Sequence, residues 1–185
     1  KDLDFDDVII GEPSSFGGAP GKTYVLFGSS SKITGLDLSS LTSSGRGFVI
    51  NGAAASEMSG FTVSGAGDIN GDGLTDILLT TYTNGGTTAS YVVYGKTNTT
   101  AVNLSNLQSS GAGYAFGPTA GGSGYAIGNA GDVNGDGLAD LIVGGFVTTG
   151  AYSIIFGGTQ WVSNAINGTG TASSEAVLGT AYSDT

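Results

Sequence analysis

The chain has 185 residues, 35 of them Gly, with 39% hydrophobic and only 11% charged residues, which is enough material for one domain with a core. Fifteen acids against five bases give a formal net charge of −10, which excludes a basic nucleic-acid footprint. With no Cys and no His, a disulfide framework, a thiolate or imidazole zinc site and a Ser-His or Cys-His nucleophile are all excluded.

The acids are not spread evenly. Asp68, Asp72, Asp76, Asp132, Asp136 and Asp140 fall in two matching runs, and Asp2, Asp4, Asp6, Asp7 and Asp184 fall near the chain ends. Glu12, Asp37, Glu57 and Glu175 are the remainder. No apolar run approaches the roughly 20 residues of a membrane helix. The lack of Cys suits a bacterial exported protein. A first residue of Lys, with no signal peptide before it, suggests a processed or excerpted chain.

In chain order, the first apolar block is Val8-Ile9-Ile10-Gly11, directly after Asp7. The spacing predicts a buried strand there, a Gly-rich turn, a second strand over Tyr24–Gly28 and a third over Gly47–Gly52. A fourth strand, Gly60–Gly67, leads into the run Asp68-Ile-Asn-Gly-Asp-Gly-Leu-Thr-Asp76. The cycle then repeats with Ile77–Thr80, Tyr91–Gly95, Gly113–Gly117 and Gly124–Gly131. A second run, Asp132-Val-Asn-Gly-Asp-Gly-Leu-Ala-Asp140, begins 64 residues after the first. The third cycle has Leu141–Gly144, Tyr152–Gly157 and Asn164–Gly168, and Ala176–Ser183 resembles the fourth strand again. The units therefore span about 7–75, 76–139 and 140–185 plus the N-terminal residues. Four strands per unit predict an all-β fold of β-propeller blades, each of four antiparallel strands, with about three blades in this chain. A sandwich of similar strands would not repeat a loop and two strand endings in phase. Propellers close with about four to eight blades, so completion by another copy or by missing sequence is expected, two copies giving six.

Each run places oxygen side chains at positions 1, 3, 5 and 9 and Gly at position 6, the ligand list of a hard cation such as calcium. Asp68, Asn70, Asp72 and Asp76 bind through side chains and Leu74 through its carbonyl; Asp132, Asn134, Asp136, Asp140 and Leu138 are the equivalents. Gly73 and Gly137 are expected at positive φ to curl the backbone. Two calcium ions per chain are expected. An EF-hand is excluded, because position 12 is Leu79 or Val143, inside an apolar strand. An Asx-rich turn is the competing account, since Asn, Asp and Gly suit turns, but it does not by itself require acids at positions 1, 5 and 9. A third, split loop runs from Asp184 through Thr185 and Lys1 to Asp7, with Lys1 and Leu3 at positions 3 and 5, a poor calcium ligand set. It reads as ring closure, as a junction between copies, or as the edge of an excerpt.

The stretches Phe61–Leu79 and Tyr125–Val143, supported by Phe5–Pro13 and Phe16–Pro20, resemble the FG-GAP repeat family, the blades of integrin α-subunit propellers and of many bacterial surface proteins. The resemblance implies calcium loops between the first two strands of a blade and a secreted or cell-surface module for adhesion or ligand recognition. The expectation is a non-catalytic, calcium-stabilised extracellular interaction, adhesion or surface-assembly module. Its partner is a protein, a second copy or a glycan, and the chain is a homo-oligomer or part of a larger one. The alternative is a carbohydrate-binding propeller lectin, with Trp161, Tyr82, Tyr114, Tyr125, Tyr182 and Phe146 as stacking residues. A glycosidase using two of Glu12, Asp37, Glu57 and Glu175 is a third reading. Asn98, Asn103 and Asn167 begin glycan-acceptor triplets, which a chain rich in Ser and Thr forms by chance.

Overall fold

The computed structural model describes residues 5–14, 18–31, 34–82, 89–116, 123–145, 151–158 and 166–169. Lys1–Asp4, Phe146, Trp161, Glu175, the strand expected over Ala176–Ser183, and the Asp184-Thr185 half of the split loop lie outside the described residues.

The chain is all-β. The strands are β1 (Val8–Glu12), β2 (Lys22–Leu26), β3 (Gly47–Asn51), β4 (Thr62–Gly67), β5 (Asp76–Thr80), β6 (Ser90–Val93), β7 (Val102–Asn103), β8 (Gly113–Phe116), β9 (Ser123–Gly131), β10 (Asp140–Gly145), β11 (Ala151–Ile155) and β12 (Ile166–Thr169). Among the described residues two short 3-10 helices, Leu38–Ser40 and Leu104–Asn106, follow β2 and β7. Among the described residues three four-stranded sheets form, ordered β1-β2-β3-β7, β4-β5-β6-β8 and β9-β10-β11-β12. They are the blades of an incomplete propeller.

The sheets and the sequence repeat are offset by one strand. The strand before each acidic run pairs antiparallel with the strand after it, β4 with β5 and β9 with β10, so each loop joins the first two strands of a sheet. The first sheet departs from the all-antiparallel expectation: its fourth strand is β7, borrowed from the second unit and parallel to β3. The strand ends also differ. β2, β6 and β11 stop before the aromatic-Gly pairs Phe27-Gly28, Tyr94-Gly95 and Phe156-Gly157, because each Gly N–H is taken by an Asp side chain instead of the ladder.

Alternation along each strand gives every sheet two working faces. Ile9, Val25, Phe27, Phe48 and Ile50 of the first sheet meet Ile77, Leu79, Tyr91 and Val93 of the second, closed over by Val102, Leu104 and Leu107. Ala66, Ile69, Leu78 and Val92 of the second sheet meet Leu141, with Ile127, Ala139 and Ile155, of the third. β5 is consequently buried along its whole length. On the far side of the first sheet, Tyr24 and Leu26 are covered by Leu36, Leu38 and Leu41 of the same blade.

Polar side chains pin the connections. Buried Glu57 accepts hydrogen bonds from the Tyr91 hydroxyl (3.0 Å) and the Ala54 N–H (3.1 Å), and burial beside this carboxylate raises the phenol's pKa. Glu12 accepts from the Tyr24 hydroxyl at 2.6 Å, which with burial pushes that phenol up to about 12. The Lys96 ammonium lies 4.9 Å over the Phe48 ring.

Leu79 has no exposed surface and sits in the largest core cluster. Leu79→Ala is expected to lower the unfolding free energy by about 2–5 kcal/mol through lost burial and the cavity left behind, read as a lower urea midpoint with an unchanged slope.

Candidate metal centres

The local sequence explains the loop shape. Gly67 and Gly131, at φ 79° and 74°, pair with Asp76 and Asp140 and end a register shift that swings the chain out of β4 and β9. Gly71 and Gly73, and in the second loop Gly135 and Gly137, also have positive φ, between 77° and 88°. The curl expected at Gly73 and Gly137 is present, and positions 4 and 6 both take part.

The two loops share one hydrogen-bond pattern. Asp68 Oδ1 accepts from the N–H groups of Gly71 (2.8 Å) and Asp72 (3.1 Å), and its Oδ2 from Gly73 (2.8 Å). Asp132 accepts in the same way from Gly135, Asp136 and Gly137 at 2.7, 3.1 and 2.8 Å. Asn70 Oδ1 accepts from Asp72 N–H at 2.9 Å, and its Nδ2 donates to Asp72 Oδ2 at 2.9 Å. Asn134 and Asp136 repeat this at 3.0 and 2.8 Å. Asp72 and Asp136 also accept from Leu74 and Leu138 N–H, which leaves the carbonyls of both leucines as separate acceptors.

The position-9 acids face inward. Asp76 has no exposed surface and accepts from Ile69 N–H (2.8 Å) and Gly95 N–H (2.7 Å). Asp140, equally buried, accepts from Val133 N–H (2.7 Å) and Gly157 N–H (2.8 Å). Asp7 accepts from Gly28 N–H at 2.7 Å, the same contact at the described end of the split loop. These contacts explain the aromatic-Gly signature. A Cβ on Gly95 would lie 2.7 Å from the Thr75 carbonyl oxygen, and one on Gly157 2.5 Å from that of Ala139. Burial pushes the Asp76 carboxyl up to about 6, the Gly95 and Ile69 N–H groups oppose the rise, and the charges of Asp72 and Asp68 add to it.

The acids at positions 1, 5 and 9 thus all have backbone N–H partners in both loops, and the turn chemistry covers more of the pattern than spacing alone suggests. Among the described residues no three acidic side chains converge closely enough to hold a metal ion. The donor set still suits a hard cation. Every candidate donor is an oxygen, an ionised carboxylate has about four lone-pair sites, and neither nine-residue run contains Lys or Arg.

Residues 59–94 match the model of the FG-GAP repeat family. That segment is an FG-GAP repeat. It takes in β4, the first acidic loop, β5 and β6. The geometry of this FG-GAP repeat recurs hydrogen bond for hydrogen bond in the loop at 132–140. No curated protein matches the chain.

The other acids singled out by sequence have structural tasks. Asp37 accepts from Ser39 N–H at 2.9 Å at the start of the first 3-10 helix, which lowers its carboxyl pKa. Glu12 and Glu57 hold tyrosines, as above. Of the aromatic residues considered for sugar stacking, Tyr82 stacks on Phe61 at 5.3 Å and Tyr114 is tilted against Phe116 at 5.4 Å. The Tyr125 side chain and Tyr182 are outside the described residues. Phe61, half-exposed, was missed by the sequence reading; its place just before β4 was the available signal.

Asp76→Asn places an amide NH2 against one of two backbone N–H groups in a buried site. With chelator present, so that no ion contributes, the substitution is expected to cost about 1–3 kcal/mol of stability in urea unfolding. An unmoved midpoint would remove the bridging role assigned to this carboxylate.

Proposed function

We propose that this chain is a non-catalytic, calcium-stabilised interaction module that acts outside the cell, in adhesion or in a surface assembly. The FG-GAP repeat at 59–94 supports an adhesion-type module. Among the described residues no helix is long and apolar enough to cross a membrane. The observation that carries the calcium reading is the identical pair of loops. Each carries three carboxylates, one Asn and a leucine carbonyl along a backbone curled by two positive-φ glycines.

Asp68, Asn70, Asp72, Asp76 and the Leu74 carbonyl would hold one ion. Asp132, Asn134, Asp136, Asp140 and the Leu138 carbonyl would hold the other. A bound cation supplies the positive charge that neither run contains. The residues do the rest: position 1 shapes the loop by collecting three N–H groups, and position 9 anchors it to the Gly that follows the sheet's third strand. Because the carboxylates repel one another without a counter-charge, ion binding and loop stiffening are coupled.

A carbohydrate-binding role is the second reading, and it rests on the Phe61–Tyr82 stack, whose Phe61 face is half-exposed. Calcium-dependent binding on a glycan array separates it from protein adhesion.

Native mass spectrometry of the full chain is expected to show two calcium ions, both removed by EDTA. Calcium at about 100 times its dissociation constant adds about 2.7 kcal/mol per site, so chelation lowers the melting temperature. Asp72→Ala, at an exposed position, is expected to leave one ion and a folded chain. A chain that holds no ion at millimolar calcium overturns the reading.

A further inference from the structure

The repeat allows the three blades to be compared position by position. Ile69 and Val133 hold position 2 of their loops, and Leu78 and Ile142 are the third residues of β5 and β10. Ile69 is 0% exposed and Leu78 1%, because the third sheet covers them. Val133 is 52% exposed and Ile142 44%. At the other end, Val8 is 51% exposed, whereas its counterpart Ile77 is 3% exposed under the first sheet. The third sheet therefore presents the kind of face that the second sheet buries against its successor; on the corresponding outer side of the first sheet Tyr24 and Leu26 are covered by Leu36, Leu38 and Leu41, and Val8 stays exposed.

Two further features sit at the first sheet. Among the described strands β1 pairs with β2 alone, while its counterparts β5 and β10 each lie between two strands. A cavity of about 450 Å3 opens between the first and second sheets, lined among others by Phe5, Asp7, Leu74, Thr75 and Gly95. At the next junction the matching place is filled by the first loop. There Ala139 N–H donates to the Asp68 carbonyl (2.9 Å) and Gly158 N–H to the Ile69 carbonyl (2.8 Å).

We propose that the chain docks head to tail with a second copy of itself. The Val133–Ile142 face of one copy's third sheet packs on the Val8 side of the other's first sheet. The argument is continuity: both half-interfaces are built from the repeat positions that form the two sheet–sheet contacts already present within one chain. Two such contacts related by a two-fold axis close on themselves and bring together six blades. The contact is apolar and does not rest on the calcium reading.

The test is the mass of the full chain by light scattering after size exclusion, with calcium present. The wild type is expected at twice the chain mass or a higher multiple. Val133→Asp/Ile142→Asp and, separately, Val8→Asp are expected to run as monomers with unchanged circular dichroism, since all three side chains are exposed. An equimolar mixture of those two variants retains one intact junction and is expected to form a heterodimer and nothing larger. Gln108→Asp, exposed and off both faces, is expected to leave the assembly intact. A monomeric wild type, an assembly that survives the face substitutions, or a mixture that stays monomeric overturns the proposal. Calcium counts on the same variants keep its failure distinct from failure of the metal sites.

Discussion

A buried carboxylate at the end of each acidic loop holds the blades together. Asp76 and Asp140 are fully buried, and each takes one N–H from the start of its own loop and one from the Gly after the next strand. An ionised group in such a place is costly unless its hydrogen bonds are met, so the surrounding backbone is constrained to supply them. That constraint explains three separate features. The sheet's third strand must end early to free a Gly N–H, the residue there must lack a Cβ, and the loop must turn back on itself within nine residues.

The loops also connect the sheets to one another. Carbonyls of Asp68 and Ile69 accept N–H groups from Ala139 and Gly158 of the third blade, while Ile69 drops its side chain into the core between them. A loop that closes its own hairpin therefore also sets the distance to the next one. Stiffening it, by an ion or by hydrogen bonds, acts on the sheet–sheet contact as well as on the turn.

Much of this was legible in the sequence, because its signals are local. The phase of the two acidic runs, the glycines inside them and the apolar block after each gave the strands, the loops and the blade count. Less legible was anything decided by neighbours far along the chain. Val8-Ile9-Ile10 and Ile77-Leu78-Leu79 look alike as sequence, yet β1 is only partly buried and β5 wholly so, because position in the stack decides burial. β7 carries two residues and no periodicity, and its parallel pairing with β3 depends on where the second unit happens to pass. Spacing pointed to the loop acids as ligands. It did not show that their oxygens already serve backbone N–H groups, since an Asx turn and a cation loop draw on the same residue types.

The run that ends at Asp7 separates those two demands. Asp7 keeps the position-9 contact to Gly28 N–H at 2.7 Å, and a Cβ on Gly28 would lie 2.5 Å from the Asp6 carbonyl oxygen, as the intact loops require of Gly95 and Gly157. Yet positions 3 and 5 of that loop are Lys1 and Leu3, which offer no carboxylate or amide oxygen. Where the ligand set has gone and the bridge remains, the bridge has a task of its own. Position 9 is thus part of the blade's frame, separate from whatever positions 3 and 5 do.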